Sequence, residues 1–257
     1  MKRGDTWKRQ AAAEDGAVRK HWRGKTRVAL VYPNSYYVGM SNLGFQSVYR
    51  LLNCLPEAVC ERAFLPERDE QHELRRSRHP LFSLESYRPL RDFDIVAFSI
   101  SFENDYPAVL TLLELAGIPL LRSRRNGSFP LIMAGGVCAF LNPEPLAEFI
   151  DLFIIGEGEE VLPRLITLFH RHREEGTARE VMLEELVQME GIYVPALYEV
   201  RYHPSGTIEA FMPRGNAPAR VKRAAPASLD GHPAHSAIIT PFTEFSSMFL
   251  MEVSRGC

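Results

Sequence analysis

The stretch from Pro130 to Leu165, PLIMAGGVCAFLNPEPLAEFIDLFIIGEGEEVLPRL, holds two short apolar runs, each followed at once by glycine. Few folds accept that arrangement. Leu131 to Ala134 reads as a buried strand with Gly135-Gly136 at its carboxyl end. Asp151 to Ile155 reads as the next strand and runs into Gly156-Glu157-Gly158-Glu159-Glu160. Strands that deliver glycine at their carboxyl ends suit a doubly wound α/β sheet, in which ligands sit beyond those ends. Glycine reaches positive φ at no steric cost and lets a backbone or a phosphate come close. In the helix that follows, Val161, Leu162, Leu165, Ile166 and Phe169 lie on one face. Glutamates suit the positive end of a helix dipole, so GEGEE reads equally as a well-capped helix start and as a ligand-facing loop.

The same unit recurs upstream. Arg27 to Tyr32 (RVALVY) is a buried strand ended by Pro33-Asn34-Ser35, and a helix begins near Ser41 or Asn42 with Val48, Leu51, Leu52 and Leu55 at helical spacing. Cys60 to Leu65 is a second strand stopped by Pro66. Glu67 to Arg78 is an exposed helix or excursion, and Leu81 to Leu84 a small extra strand. Asp94 to Ser101 (DIVAFSIS) is continuous and apolar, as a strand covered on both faces should be. Its helix has Asp105 at the entry, Pro107 in the first turn, and Gly117 and Pro119 at the stop. This alternation predicts a parallel α/β sheet over residues 26–176, with strands near residues 28, 95, 132 and 152 as neighbours. Asn34 to Ser41, Ser99 to Asp105, Gly135 to Asn142 and Gly156 to Glu160 should then converge at one edge. Residues from about 190 onward are not expected to extend the sheet.

Residues 1–25 form a basic lead segment in which a short helix is expected, with Trp7 and Trp22 among Lys8, Arg9, Arg19, Lys20, Arg23 and Lys25. Tryptophans among cations dock on the body of a protein or meet RNA by stacking, and docking is the commoner fate. Arg122, Arg124 and Arg125 would join them in an RNA-binding reading. Residues 177–245 read as a helix (about Ala178 to Met189), a hairpin of Leu197 to His203 and Thr207 to Met212, and a proline-rich linker. Residues 246–257 read as a strand ending in Arg-Gly-Cys257, the start of another domain, which suggests a fragment.

With 30 Lys and Arg against 32 Asp and Glu, the formal charge of -2 advertises no global nucleic-acid field. Four cysteines without CxxC spacing and no apolar secretory segment point to a reduced, cytoplasmic setting. No apolar run approaches the roughly 20 residues that span a bilayer. His170-x-His172 and His232-x-x-His235 lack zinc spacing and read as solvated, while Cys54, Cys60 and Cys138 read as structural. Nothing pairs Asp94, Asp105, Asp151 or Glu157 with a nucleophile.

The ending Glu252-Val-Ser-Arg-Gly-Cys257 resembles the first barrel strand of radical S-adenosylmethionine (radical SAM) enzymes, where S-R-G-C delivers the first cysteine of a CxxxCxxC motif. Arg27 to about Phe169 resembles the amino-terminal cobalamin-binding-like domain that precedes that barrel in one branch of the family. The cues are SIS at Ser99 to Ser101, GG at Gly135-Gly136 and GEGEE at Gly156 to Glu160. The resemblance implies that Ser99, Ser101, Gly135 and Gly136, and less directly Gly156 and Gly158, line a groove for the nucleotide tail of cobalamin. It implies Cys257 as a metal ligand in the whole protein, at a 4Fe-4S cluster that binds S-adenosylmethionine. Cobalamin domains that ligate cobalt carry D-x-H-x-x-G after the first strand. Here Pro33 to Gly39 holds no histidine, so ligation through that motif is excluded. Cobalamin held without it, and a fold that has lost the cofactor, both stand. A cofactor-free α/β module for RNA or a protein partner is the alternative function.

Overall fold

Thr26–Tyr32 (β1) is buried along nearly its whole length, which requires cover on both faces of the sheet and explains its unbroken apolar run. The protein is described by a computed structural model covering residues 5–226, 228, 231 and 233–255. β1 pairs in parallel with Ala58–Phe64 (β2) on one side and Ile95–Ser99 (β3) on the other. β3 continues to Leu131–Gly135 (β4), and β4 to Leu152–Ile154 (β5), all parallel. The strands expected near residues 28, 95, 132 and 152 are therefore neighbours in one parallel array. One expectation fails at its far edge: Ile192–Tyr193 (β6) adds an antiparallel sixth strand to β5, giving the order β2-β1-β3-β4-β5-β6. Two residues carry no readable period, which is why the sequence hides this strand.

The helices are Asp5–Ala12 (α1), Tyr36–Met40 (α2), Leu43–Cys54 (α3), Arg68–Ser77 (α4), Tyr106–Leu115 (α5), Val137–Leu141 (α6), Gly158–Glu175 (α7) and Arg179–Leu186 (α8). α3 and α7 pack against each other over the sheet. Asn42 caps α3 by accepting from the Phe45 amide at 2.8 Å. Gly176, at φ 66°, ends α7 in a left-handed cap. Tyr198–Tyr202 (β7) and Ile208–Pro213 (β8) form the expected hairpin as a separate two-stranded sheet.

β2 begins two residues earlier than its sequence suggests and buries two charges. Arg62 is 1% exposed and meets Glu14 at 2.7 Å and Glu85 at 2.6 Å. Glu61 accepts from the Trp22 indole, Ser83 and Ser86. The lead segment and the 81–86 turn thus cover this edge strand, and Trp7 also docks, on Glu70. Leu81 to Leu84 makes no strand, only a Phe82–Pro89 bridge. The expected strand at Met248 is also absent: among its described residues, one antiparallel bridge joins Met251 to His235.

Candidate functional site

The order β2-β1-β3 reverses at β1, so the crevice of a doubly wound sheet belongs beyond the carboxyl ends of β1 and β3. The loops there are cross-linked. Asn34 donates to Asp105 at 2.9 Å, and Asn42 donates to Ser101 at 3.1 Å, so the turns after β1 and β3 hold one another. Burial raises the Asp105 carboxyl above its ordinary range, the Asn34 bond partly opposing it. The Ile100 amide donates to the Gly135 carbonyl at 2.8 Å, which fixes the end of β4 beside them.

At this edge opens a cavity of about 930 Å³ that descends along the sheet between α3 and α7. Its floor is apolar: Leu30, Ala97, Met133 and Ile154 from the strands, Leu51 and Leu52 from α3, Leu162 from α7. Its rim is polar. Ser99, Ser101, Gly135, Gly136, Gly156 and Gly158 all line it, so the six described positions singled out from sequence come together in one cleft. Cys257 lies outside the described residues. The volume is at the upper end of the range for small-molecule sites, and an apolar cleft with a few polar groups is their usual chemistry.

The glycines serve different purposes. Gly136 sits at φ 107°, and a Cβ there would come within 2.4 Å of the Ile100 carbonyl oxygen. Gly156, at φ 108°, would bring a Cβ within 2.2 Å of the Ala224 carbonyl oxygen, because residues 222–224 run alongside it. Both are required by neighbouring backbone. A valine at Gly136 would therefore damage the fold itself and not merely narrow the groove. Gly135 differs: its Cβ would make only an ordinary 3.7 Å contact with Ile154.

GEGEE both opens α7, with Glu159 and Glu160 in its first turn, and lines the cleft. Arg255 reaches into it, donating to Glu157 at 3.0 Å and to Glu159, and also to Glu252 at 2.7 Å. The hydrogen bond from Arg255 holds Glu252 below the usual carboxylate range. Sequence reading placed Arg255 only in the SRGC ending, since its partners lie nearly a hundred residues away. It also passed over Ser47 and Arg50, which line the cleft from α3. With Leu43, Leu51 and Cys54 they share one helical stripe at i, i+3 and i+4 spacing, a signal hidden by its mixed polarity.

Other candidates resolve as structural. Asp94 pairs with Arg27 and, at 2.8 Å, Arg173. Asp151 pairs with Arg125 at 3.0 Å. Arg125 is buried and also donates to the Phe149, Pro119 and Leu120 carbonyls, so the basic loop offers no arginine row for RNA. His172 is buried against Glu185 at 2.8 Å, where solvation was expected. His235 stacks on Phe249, and His232 lies outside the described residues. Burial pushes the Cys60 and Cys138 thiols up, as suits structural residues. Among the described residues no group of three or more His, Cys, Asp or Glu could hold a metal, and no helix is long and apolar enough to cross a membrane.

The family model for radical SAM proteins, N-terminal, matches residues 44–195, more than half of the chain. The chain belongs to this family. The radical SAM N-terminal match runs from the second residue of α3 through β6, so it takes in the cleft wall and every strand of the large sheet except β1. An uncharacterised protein of Methanocaldococcus jannaschii is 27% identical over 237 residues, which are 90% of this chain and 38% of that protein. The chain thus spans well under half the length of this curated relative. Among solved structures it is similar to the radical S-adenosylmethionine methyltransferase TsrM of Kitasatospora setae, determined with a tryptophan substrate and a SAM analogue bound. That alignment covers 76% of this chain and 31% of the other at 16% identity, with a TM-score of 0.41. No residue role is carried across at that score.

Proposed function

We propose that the chain is the cofactor-binding front of a radical SAM enzyme and that its cleft receives the nucleotide tail of cobalamin, with no histidine from residues 33–39 on the cobalt. One observation carries the reading: a single cavity at the β1/β3 switch point, apolar in depth and polar at the rim, lined by all six described positions. The chemistry of the walls suits such a tail. An aromatic base would lie against Leu30, Met133 and Leu162, and Ser99 and Ser101 would hydrogen-bond the ribose or the amides near the rim. Gly135 sets no side chain against Ile154. When bound, cobalamin would supply group-transfer chemistry at cobalt, and the protein's part is to position it. For the whole protein the proposed activity is reductive cleavage of S-adenosylmethionine at a 4Fe-4S cluster, with Cys257 giving one thiolate. The 257 residues alone carry only that first cysteine of the pattern and should not cleave S-adenosylmethionine after iron and sulfide reconstitution.

The missing loop histidine favours a second reading, a cofactor-free module that meets a protein partner at the same edge, where Phe102, Val137 and Leu141 are exposed. A cobalamin titration followed by visible absorbance separates the two. Binding by the wild type, weakened by Gly135→Val at an unchanged thermal midpoint, supports the cofactor reading. No binding at high micromolar cobalamin overturns it and leaves the partner module.

A further inference from the structure

Among the described residues two cations line the cleft, and they are not equivalent. Arg255 is neutralised by Glu157, Glu159 and Glu252. Arg50, near the end of α3, has no carboxylate partner among the described residues. One of its terminal nitrogens donates to the Pro233 carbonyl at 2.5 Å, and its Nε is buried without an acceptor. Ser47 stands one turn before it on the same face, and its hydroxyl is likewise buried without a partner. A serine within a helix can bond back to the carbonyl four residues earlier, and the Ser47 hydroxyl makes no such bond. Leaving buried donors unmade is unfavourable, and both residues line the cavity one turn apart, so a modest side-chain rotation would offer these donors to a ligand's acceptors. A guanidinium held by one neutral carbonyl retains its full charge and a free donor edge, the arrangement suited to an oxyanion. The carboxylates among the described cleft residues, Glu157, Glu159 and Glu252, are all engaged with Arg255, which offsets their repulsion of such an anion.

We propose that Arg50 and Ser47 form the anion anchor of the cleft and receive the phosphodiester of a nucleotide-bearing ligand. The inference rests on the cobalamin reading, since cobalamin carries one phosphodiester between its corrin and its base. Cobinamide, the corrin without that phosphodiester and base, is the matched control.

The test is a titration of wild type, Arg50→Gln and Arg50→Lys with cobalamin and with cobinamide, read by visible absorbance, with thermal melts of each protein. Arg50→Gln should weaken cobalamin about tenfold and leave cobinamide unmoved. Arg50→Lys, which keeps the charge but loses the fork, should fall between, with all three midpoints close together. Equal weakening of both ligands, or of neither, overturns the anchor while leaving cobalamin binding intact. If wild type binds neither corrin, the cobalamin reading fails and inorganic phosphate becomes the probe. A phosphate-dependent rise in the wild-type midpoint at matched ionic strength, absent in Arg50→Gln, supports the anchor for another phosphorylated ligand; no such rise overturns it.

Discussion

Gly136 faces the backbone of Ile100 so closely that a Cβ on it would stand 2.4 Å from the Ile100 carbonyl oxygen. That oxygen is already engaged by the Cys138 amide, and the Ile100 amide by Gly135, so neither strand end can move aside cheaply. Gly136→Ala should lower stability by about 1–3 kcal/mol, because a side chain at φ 107° is strained as well as crowded. Gly135→Ala, with its ordinary contact to Ile154, should stay within about 0.5 kcal/mol of wild type. Denaturant melts of the two variants decide it, and equal midpoints would refute this division of roles.

Asp94 joins the starts of β1 and β3 to the last turn of α7 through Arg27 and Arg173. Burial pushes its carboxyl up, but the Arg27 bonds and the two guanidiniums outweigh that and leave it below the ordinary value of 3.8. A depressed carboxyl contributes stability that is present above the unfolded value and lost as pH falls through the folded one. Asp94→Asn should therefore cost about 3 kcal/mol at neutral pH. Melts as a function of pH should show the two proteins converging below the unfolded value. A gap that persists undiminished in acid would mean that charge is not the cause.

Glu14 meets Arg62 through both oxygens and accepts from Tyr36 at 2.6 Å. Replacing it by glutamine removes half of the charge opposing a guanidinium that is 1% exposed. The expected loss is about 3–5 kcal/mol, the range for breaking a buried pair from one side. Glu148→Gln, on an exposed carboxylate 4.0 Å from Arg122, should change stability by less than about 1 kcal/mol. Comparable effects of the two would show that burial of the Arg62 cluster is not decisive.

Arg255 fastens the 248–255 stretch to the cleft rim. In Arg255→Gln the charged fork to Glu157 and Glu252 is lost, and the stretch keeps the Leu250 bond to Ser236 and the Glu252 bond to Ala234. Hydrogen exchange should then show faster exchange at the Leu250 and Glu252 amides with little change in the amides of β1 and β3. Unchanged protection at residues 250 and 252 would count against the clamp.

Strands β1, β3, β4 and β5 are legible because burial on both faces leaves unbroken apolar runs, and the convergence of their following loops is a consequence of parallel order alone. β2 is less legible, since Glu61 and Arg62 read as surface residues until Trp22, Glu14 and Glu85 arrive from elsewhere in the chain. The glycine positions were readable as special, but their purpose was not: only the placement of Ile100 and Ala224 separates a backbone requirement at Gly136 and Gly156 from an ordinary side-chain contact at Gly135. Ser47 and Arg50 escaped because polar residues on an amphipathic helix resemble a solvent face until a cavity is found beside them.

The lead segment also bears on how the protein can be shortened. Its composition invites trimming to residue 26, just where the first strand begins. That cut would strip Glu14 from Arg62 and Trp22 from Glu61, and leave the buried charges of β2 short of partners. A protein trimmed in this way should be recovered as aggregate.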